Sequence, residues 1–155
     1  MIKITKEGGE GFTAFARFLD KVNAEVEVGW SEEWTDEDTV MIAKINTLGG
    51  MRDGAAHPPK RNALTPATKD NRRARNKAIG RALKAIRANP AAREKIIAAI
   101  TKQEADWLRE AVLQLSSPPN ADSTIDRKGF DNPLVGPGAD GGRIVAGVGS
   151  SYKIK

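Results

Sequence analysis

The chain has 155 residues, of which 39% are hydrophobic and 29% are charged, and its formal net charge is +5. This length predicts one domain, and the composition is that of neither a disordered chain nor a membrane protein. The chain contains no cysteine and one histidine, which excludes disulfides, thiolate chemistry and multi-histidine metal sites. We therefore expect no cofactor, no metal and no membrane partner.

The first third of the chain predicts two short strands, each followed by a helix. Apolar and polar side chains alternate over residues 1–5 and again over 24–30, where the second face is acidic. Residues 10–22 repeat phenylalanine and other apolar side chains at helical spacing. A further helix is expected to have Thr35 as its N-cap and to end at Gly49-Gly50.

The rest of the chain predicts two long helices and a closing strand. The helices cover residues 66–88 and 90–115, and the second begins at Asn89-Pro90, where Asn is the N-cap and Pro the first helical residue. Alternating apolar residues over 144–154 indicate a strand or a hairpin that bends at residues 149–151.

Two segments rich in glycine, proline and charge are expected to be mobile loops, at residues 50–63 and 120–142. These two loops, together with the predicted strands and helices, indicate the fold class. We expect one α+β domain over residues 1–155, in which helices pack a small, mostly antiparallel sheet and the long loops become ordered on assembly.

Charge is divided into two blocks of opposite sign. Residues 25–38 hold seven acids and no base, and residues 60–87 hold ten bases and one acid. Three interpretations stay open: two solvated surfaces, nucleic-acid binding through the basic block, and head-to-tail association of copies.

In head-to-tail association the acids of one subunit would meet the bases of the next. Four bases fall within roughly 80° on one face of the predicted helix, at ~100° per residue, and we assign them to this interface: Arg73, Lys77, Arg81 and Lys84. The acids assigned to the same interface are Glu32, Glu33, Asp36, Glu37 and Asp38.

The motifs of conventional enzymes are missing from the chain. It has no P-loop, nucleophile elbow, zinc-protease or EF-hand pattern. His57 precedes two prolines in a predicted loop and has no evident carboxylate to orient it. Glu104 projects from an apolar helix face, so we expect it to be paired or partly exposed. An enzyme using His57 or Glu104 is the weakest candidate, and we expect no catalytic activity.

Several segments follow one another in an order that is typical of a known family. They are VEVGW at 26–30, IAKINTLGG at 42–50, PP at 58–59, RNALTPA at 61–67, SPPNADSTIDRKG at 117–129 and NPLV at 132–135. Together they resemble the small neck and tail-completion (virion morphogenesis) proteins of long-tailed bacteriophages. The chain departs from the family pattern at Thr47-Leu48, at Asn62-Ala63 and at residues 136–138, which lie where the family has Glu-Phe, Pro-Phe and Asp-Thr-Gly.

The resemblance implies a structural virion protein. Copies would form a ring in the neck or upper tail that joins the head connector to the tail tube, with a hexamer expected and a dodecamer as the alternative. Its partners would be other connector and tail proteins, with passive contact to genomic DNA in the lumen. The subunit would be made in the bacterial host cytoplasm.

The resemblance also implies that the two loops carry assembly residues, at Pro58, Pro59, Arg61, Leu64, Pro133 and Leu134. In such a ring we expect the four bases to face neighbouring protein, which leaves the channel wall mixed or acidic. The alternative of a different class is a basic nucleic-acid-binding accessory protein.

Overall fold

One long helix and a two-stranded sheet organise the computed structural model, which describes residues 13–52, 55–56, 58–136 and 141–155. In chain order the elements are α1 (Thr13–Lys21), β1 (Ala24–Gly29), α2 (Glu37–Leu48), β2 (Met51–Arg52), β3 (Ala55–Ala56), α3 (Leu64–Lys69), α4 (Arg72–Ala88), a 3-10 turn (Pro90–Ala92), α5 (Arg93–Gln114), α6 (Asp122–Lys128), α7 (Arg143–Ala146) and β4 (Gly149–Ile154). The expected α+β class, helices packed around a small antiparallel sheet, is confirmed.

The sheet pairs a strand near the start of the described chain with the last strand. β1 and β4 run antiparallel, in a register that extends from Ala24 opposite Ile154 to Gly29 opposite Gly149. The predicted alternation is confirmed in β1, where Ala24, Val26 and Val28 are buried and the intervening glutamates are not. β2 and β3 form a separate two-residue pair.

Helix α5 forms the centre of the apolar core. It packs on both strands of the sheet and also contacts α3, α4 and α7. Its buried residues recur every three or four positions, which places them on one side of the helix: Ile97, Thr101, Glu104, Ala105, Leu108, Ala111 and Val112. Phe15 and Phe18 of α1 and Trp30, directly after β1, belong to the same buried cluster.

A buried ion pair joins α4 to α5 inside this core. The guanidinium of Arg75 donates from Nε to Glu104 Oε1 at 2.7 Å and from Nη2 to Oε2 at 2.8 Å. It also donates to the carbonyl of Thr68 at 2.8 Å and lies 5.2 Å from the ring centroid of Trp107. Burial raises the pKa of Glu104, and the hydrogen bonds and charge of Arg75 oppose that rise. The expected pairing of Glu104 is thus confirmed, at a buried position.

Three features of the helices differ from the sequence-based expectations. The helix predicted over 66–88 is divided at residues 70–71, and the carbonyls of Ala67 and Thr68 at the end of α3 accept hydrogen bonds from Arg75. The predicted loop over 120–142 contains α6, whose first turn has Asp122 and whose last turn has two bases, as the helix dipole favours. The N-cap of α2 is Asp36 and not Thr35.

The closing segment also differs. Residues 143–146 are helical, and β4 continues without the bend that we expected at 149–151. Gly149 has a different role, because a Cβ there would lie 2.1 Å from Cδ1 of Trp34. The glycine allows the indole to lie against the strand. The strand predicted over residues 1–5 lies outside the described residues.

The ion pair should contribute strongly to stability. We predict that Glu104→Gln lowers the free energy of unfolding by about 3–5 kcal/mol, because it leaves the buried guanidinium without a counter-ion. Replacing both partners by methionine should cost less than either single methionine substitution, since no buried charge remains. Urea denaturation measures both effects.

The matched control is Asp106→Asn on the same helix. Asp106 pairs with Arg109 at 2.8 Å, and both side chains are partly exposed. This substitution should change stability by about 0–1 kcal/mol. A Glu104→Gln variant no less stable than Asp106→Asn would contradict the importance of the buried pair.

Candidate functional site: two charged surfaces and the Arg61 cluster

The four predicted bases form one exposed surface of α4, which we call the basic face (Arg73, Lys77, Arg81 and Lys84). Burial of Ile79 and Ala82 against the core turns the opposite side of the helix outward. All four bases are exposed, and within the described part of the chain none of them forms an ion pair. α4 carries seven bases and no acid, so this charge is not neutralised within the helix.

The five predicted acids form a second exposed surface around the start of α2, which we call the acidic patch (Glu32, Glu33, Asp36, Glu37 and Asp38). Asp36 closes the helix N-terminus: Oδ1 accepts from the backbone N–H of Thr39 at 2.9 Å and Oδ2 from its hydroxyl at 2.6 Å. These two hydrogen bonds lower the pKa of Asp36.

One base from elsewhere in the chain reaches the acidic patch. Arg143 of α7 lies 3.1 Å from Asp36 and 4.0 Å from Asp38. Sequence reasoning missed Arg143 because it lies more than a hundred residues from either acid. The other three acids of the patch form no ion pair among the described residues, so the patch keeps an excess of negative charge.

The two surfaces are carried by elements with different neighbours. α4 packs on α1 and α5, whereas α2 packs on α7. The bases therefore lie together on one helix, and the acids lie together around the start of another. Helices α2 and α4 do not pack closely against each other. One subunit presents two surfaces of opposite charge.

A buried arginine joins three of the sequence segments that carry the family resemblance, those at 42–50, 61–67 and 117–129. Arg61 donates to the carbonyls of Pro118 and Pro119 at 3.2 and 2.9 Å, and to the side-chain oxygen of Asn46 at 3.4 Å. Its backbone N–H also donates to the carbonyl of Asn46, at 2.6 Å. We call this group, with Asn120, the Arg61 cluster. It fixes the end of α2 to the segment that follows α5.

Further contacts extend the Arg61 cluster to the second predicted loop. Asn120 donates its backbone N–H to Asp131 at 2.8 Å, and Lys128 donates to the carbonyl of Asn132 at 2.6 Å. Burial lowers the pKa of both Arg61 and Lys128, while the charge of Asp131 opposes the effect in each. The side chain of Arg61 donates to four oxygen acceptors and that of Lys128 to one, so these contacts stabilise the fold of the subunit.

The expected assembly residues are only partly exposed. The assembly role assigned to Arg61 and Leu134 stays a prediction, and both residues are buried in the subunit. The cause is that the Arg61 guanidinium supplies hydrogen bonds that the loop carbonyls need and that Leu134 joins the apolar core. The remaining four are half-buried: Pro58, Pro59, Leu64 and Pro133.

Of the two residues considered for catalysis, Glu104 is paired with Arg75 and His57 lies outside the described residues. Over the described ranges, no group of three or more His, Cys, Asp or Glu side chains could hold a metal ion. Among those same residues, no helix is long and apolar enough to span a membrane.

Comparison with family models, with curated proteins and with solved structures found no match to the chain.

The Arg61 cluster should depend on the planar shape of guanidinium. We predict that Arg61→Lys lowers the free energy of unfolding by about 1–3 kcal/mol, because one ammonium cannot reach both proline carbonyls and Asn46 together. Urea denaturation of the purified chain measures the loss. Arg127→Lys on exposed α6 is the control and should have no measurable effect. Equal stability of the two variants would show that Arg61 acts only as a charge.

Proposed function

We propose that the chain is a structural subunit that associates head to tail with its own copies to form a ring in the neck or upper tail of a long-tailed bacteriophage. The ring would join the head connector to the tail tube. The observation that carries the association is the presence on one subunit of two exposed surfaces of opposite charge, the basic face and the acidic patch. The place in the virion rests on the resemblance of the sequence segments to neck and tail-completion proteins.

Opposite charge on unlike surfaces favours a particular kind of symmetry. When surface A of one copy binds surface B of the next, the contact is heterologous, and it closes into a ring if the rotation between copies closes. A two-fold contact instead places one and the same patch of each copy against the other, so it would pair the two surfaces only if they formed one continuous patch. If the basic face alone lay on the two-fold axis, four cations would meet four cations, which repel one another.

The electrostatic contact should respond to salt. Exposed charges are screened beyond about 8 Å at physiological ionic strength, so a surface contact of this type weakens as salt is added. We expect hexamers or dodecamers at low salt in sedimentation and negative-stain images, with partial dissociation at high salt. The whole chain, without DNA, is the sample.

Charge reversal tests the surfaces directly. The triple variant Arg73→Glu, Lys77→Glu and Arg81→Glu should weaken assembly at least roughly tenfold, or about 1.4 kcal/mol per contact. A further variant that also changes Glu32, Glu33 and Glu37 to lysine restores complementarity between copies and should assemble again. Sedimentation equilibrium measures, for each variant, the concentration at which half of the subunits are assembled.

The control has the same change in net charge at three exposed lysines elsewhere, Lys21→Glu, Lys95→Glu and Lys102→Glu. It should assemble like the unmodified chain. If the triple variant on the basic face assembles as well as the unmodified chain at both low and high salt, the electrostatic contact between copies is refuted.

A nucleic-acid-binding accessory protein is the second candidate, and the unneutralised basic face favours it. It predicts that single subunits bind duplex DNA with an affinity that falls steeply with salt, by about 0.9 in log–log slope for each phosphate contacted. If the triple variant loses such binding and the unmodified chain forms no ring without DNA, this candidate replaces the ring.

A further inference from the structure

Helix α2 exposes large apolar side chains along one line. Met41, Ile45 and Leu48 are 52%, 37% and 61% exposed, and their spacing of four and three residues puts them on one side of the helix. The opposite side is buried through Thr39, Val40, Ala43 and Thr47. We call the three residues the α2 stripe. A line of large apolar side chains in solvent is typical of a surface that another protein covers.

The acidic patch continues the α2 stripe at its N-terminal end. At ~100° per residue, Glu37 and Asp38 lie within roughly 60° of Met41, on the same exposed side of the helix. The exposed side of α2 is thus acidic in its first turn and apolar in the turns that follow. Lys44 lies at the margin of this side, from which a long side chain can extend its ammonium into water.

The basic face of α4 has a gap beside its long side chains. Gly80 lies in the middle of the helix, and a Cβ added there would meet no atom within 4 Å. Glycine in a helix interior lowers helix stability relative to alanine, and no packing against the described residues requires it here. Of the exposed alanines of α4, Ala88 lies roughly 80° from Gly80 at ~100° per residue, and Ala74 and Ala85 lie more than 100° from it. A second helix can therefore approach α4 closely at Gly80.

We propose that α2 of one copy packs across α4 of the next copy, with the α2 stripe over Gly80 and the acidic first turn of α2 against the basic face. This inference rests on the proposed ring and states which helices form its repeated contact. Each copy would give α2 to one neighbour and α4 to another, so the contact is heterologous.

A second copy of the chain fits both faces better than another occupant does. Complementarity of charge links Glu37 and Asp38 to the basic face. Complementarity of shape links three large apolar side chains to the gap at Gly80, which the apolar stems of Lys77 and Lys84 border. DNA would satisfy the bases but would leave the α2 stripe exposed. A purely apolar partner would leave the bases unneutralised.

Cross-linking tests the contact, because the chain has no native cysteine. The double variant with Ile45→Cys and Lys77→Cys is first assembled into the ring and then treated with a short bismaleimide. The products are separated on a denaturing gel. We expect a ladder of covalent oligomers up to the size of the ring. Each single variant should stay monomeric on the gel, since a heterologous contact brings position 45 to position 77 and not to itself.

The control pair is Ile45→Cys with Lys102→Cys, because Lys102 is exposed on α5, away from the basic face. A ring that forms but gives no more ladder than this control overturns the α2–α4 contact and leaves the proposed function standing. A dimer from Ile45→Cys alone overturns it in favour of a two-fold contact. If the unmodified chain forms no ring, the proposed function fails and this contact fails with it.

A variant at the crossing point separates the interface from the stability of the subunit. Gly80→Leu adds a strong helix former in open space, so the melting temperature of the isolated subunit should stay equal or rise. Its bulk should raise the midpoint concentration for assembly at least roughly tenfold. Ala99→Leu on the exposed side of α5 is the matched control and should leave assembly unchanged. Assembly of Gly80→Leu at the concentration of the unmodified chain would overturn the close approach at Gly80.

Discussion

The buried pair of Arg75 and Glu104 determines how α4 is oriented in the fold. A guanidinium removed from water needs a counter-ion and acceptors for its remaining N–H groups, and here these come from α5 and from the carbonyls at the end of α3. Arg75 follows Arg73 by two residues and precedes Lys77 by two, so it lies about 200° from each around the helix. When Arg75 points into the core, Arg73 and Lys77 must point into solvent. The buried ion pair therefore acts together with the burial of Ile79 and Ala82 to set the position of the basic face.

Arg61 has a similar role for helix α2. Its hydrogen bonds tie the C-terminal part of α2, through Asn46, to the Pro118–Pro119 segment. The N-terminal end of α2 is held by the Asp36 cap and by Arg143 of α7. With both ends fixed and the side through Val40 and Ala43 buried, α2 keeps Met41 and Leu48 turned outward. Two buried arginines thus fix which faces of α2 and α4 are presented to other molecules.

Sequence patterns predicted the elements whose conformation depends on residues that are close together in the chain. The alternation over 24–30 predicted β1, and the helical spacing over 90–115 predicted α5 within three residues at each end. The basic face was also predictable, because its four residues share one side of a helix whose other side is apolar. These features depend only on the period of the element and the contrast between apolar and charged side chains.

Those patterns did not predict contacts between residues that are far apart in the sequence. Among ten bases in one block, the sequence does not distinguish Arg75, which is buried, from the exposed ones, since its burial depends on Glu104 twenty-nine residues later. Arg61 was expected at a contact surface for the same reason: its acceptors lie on the segment after α5, which no local signal joins to it. The division of the helix at residues 70–71 follows the same rule, because carbonyls at the end of α3 are hydrogen-bonded to Arg75.

Three features of the subunit lower its own stability without serving its core. The bases of the basic face follow one another at spacings of four and three residues, at which like charges repel and destabilise a helix. Gly80 weakens the same helix in the middle, and the α2 stripe exposes apolar surface to water. Their costs would be reduced if the two faces met between copies, because acids would neutralise the bases and the apolar side chains would be buried over the glycine. The proposed head-to-tail contact would give one physical reason for all three features.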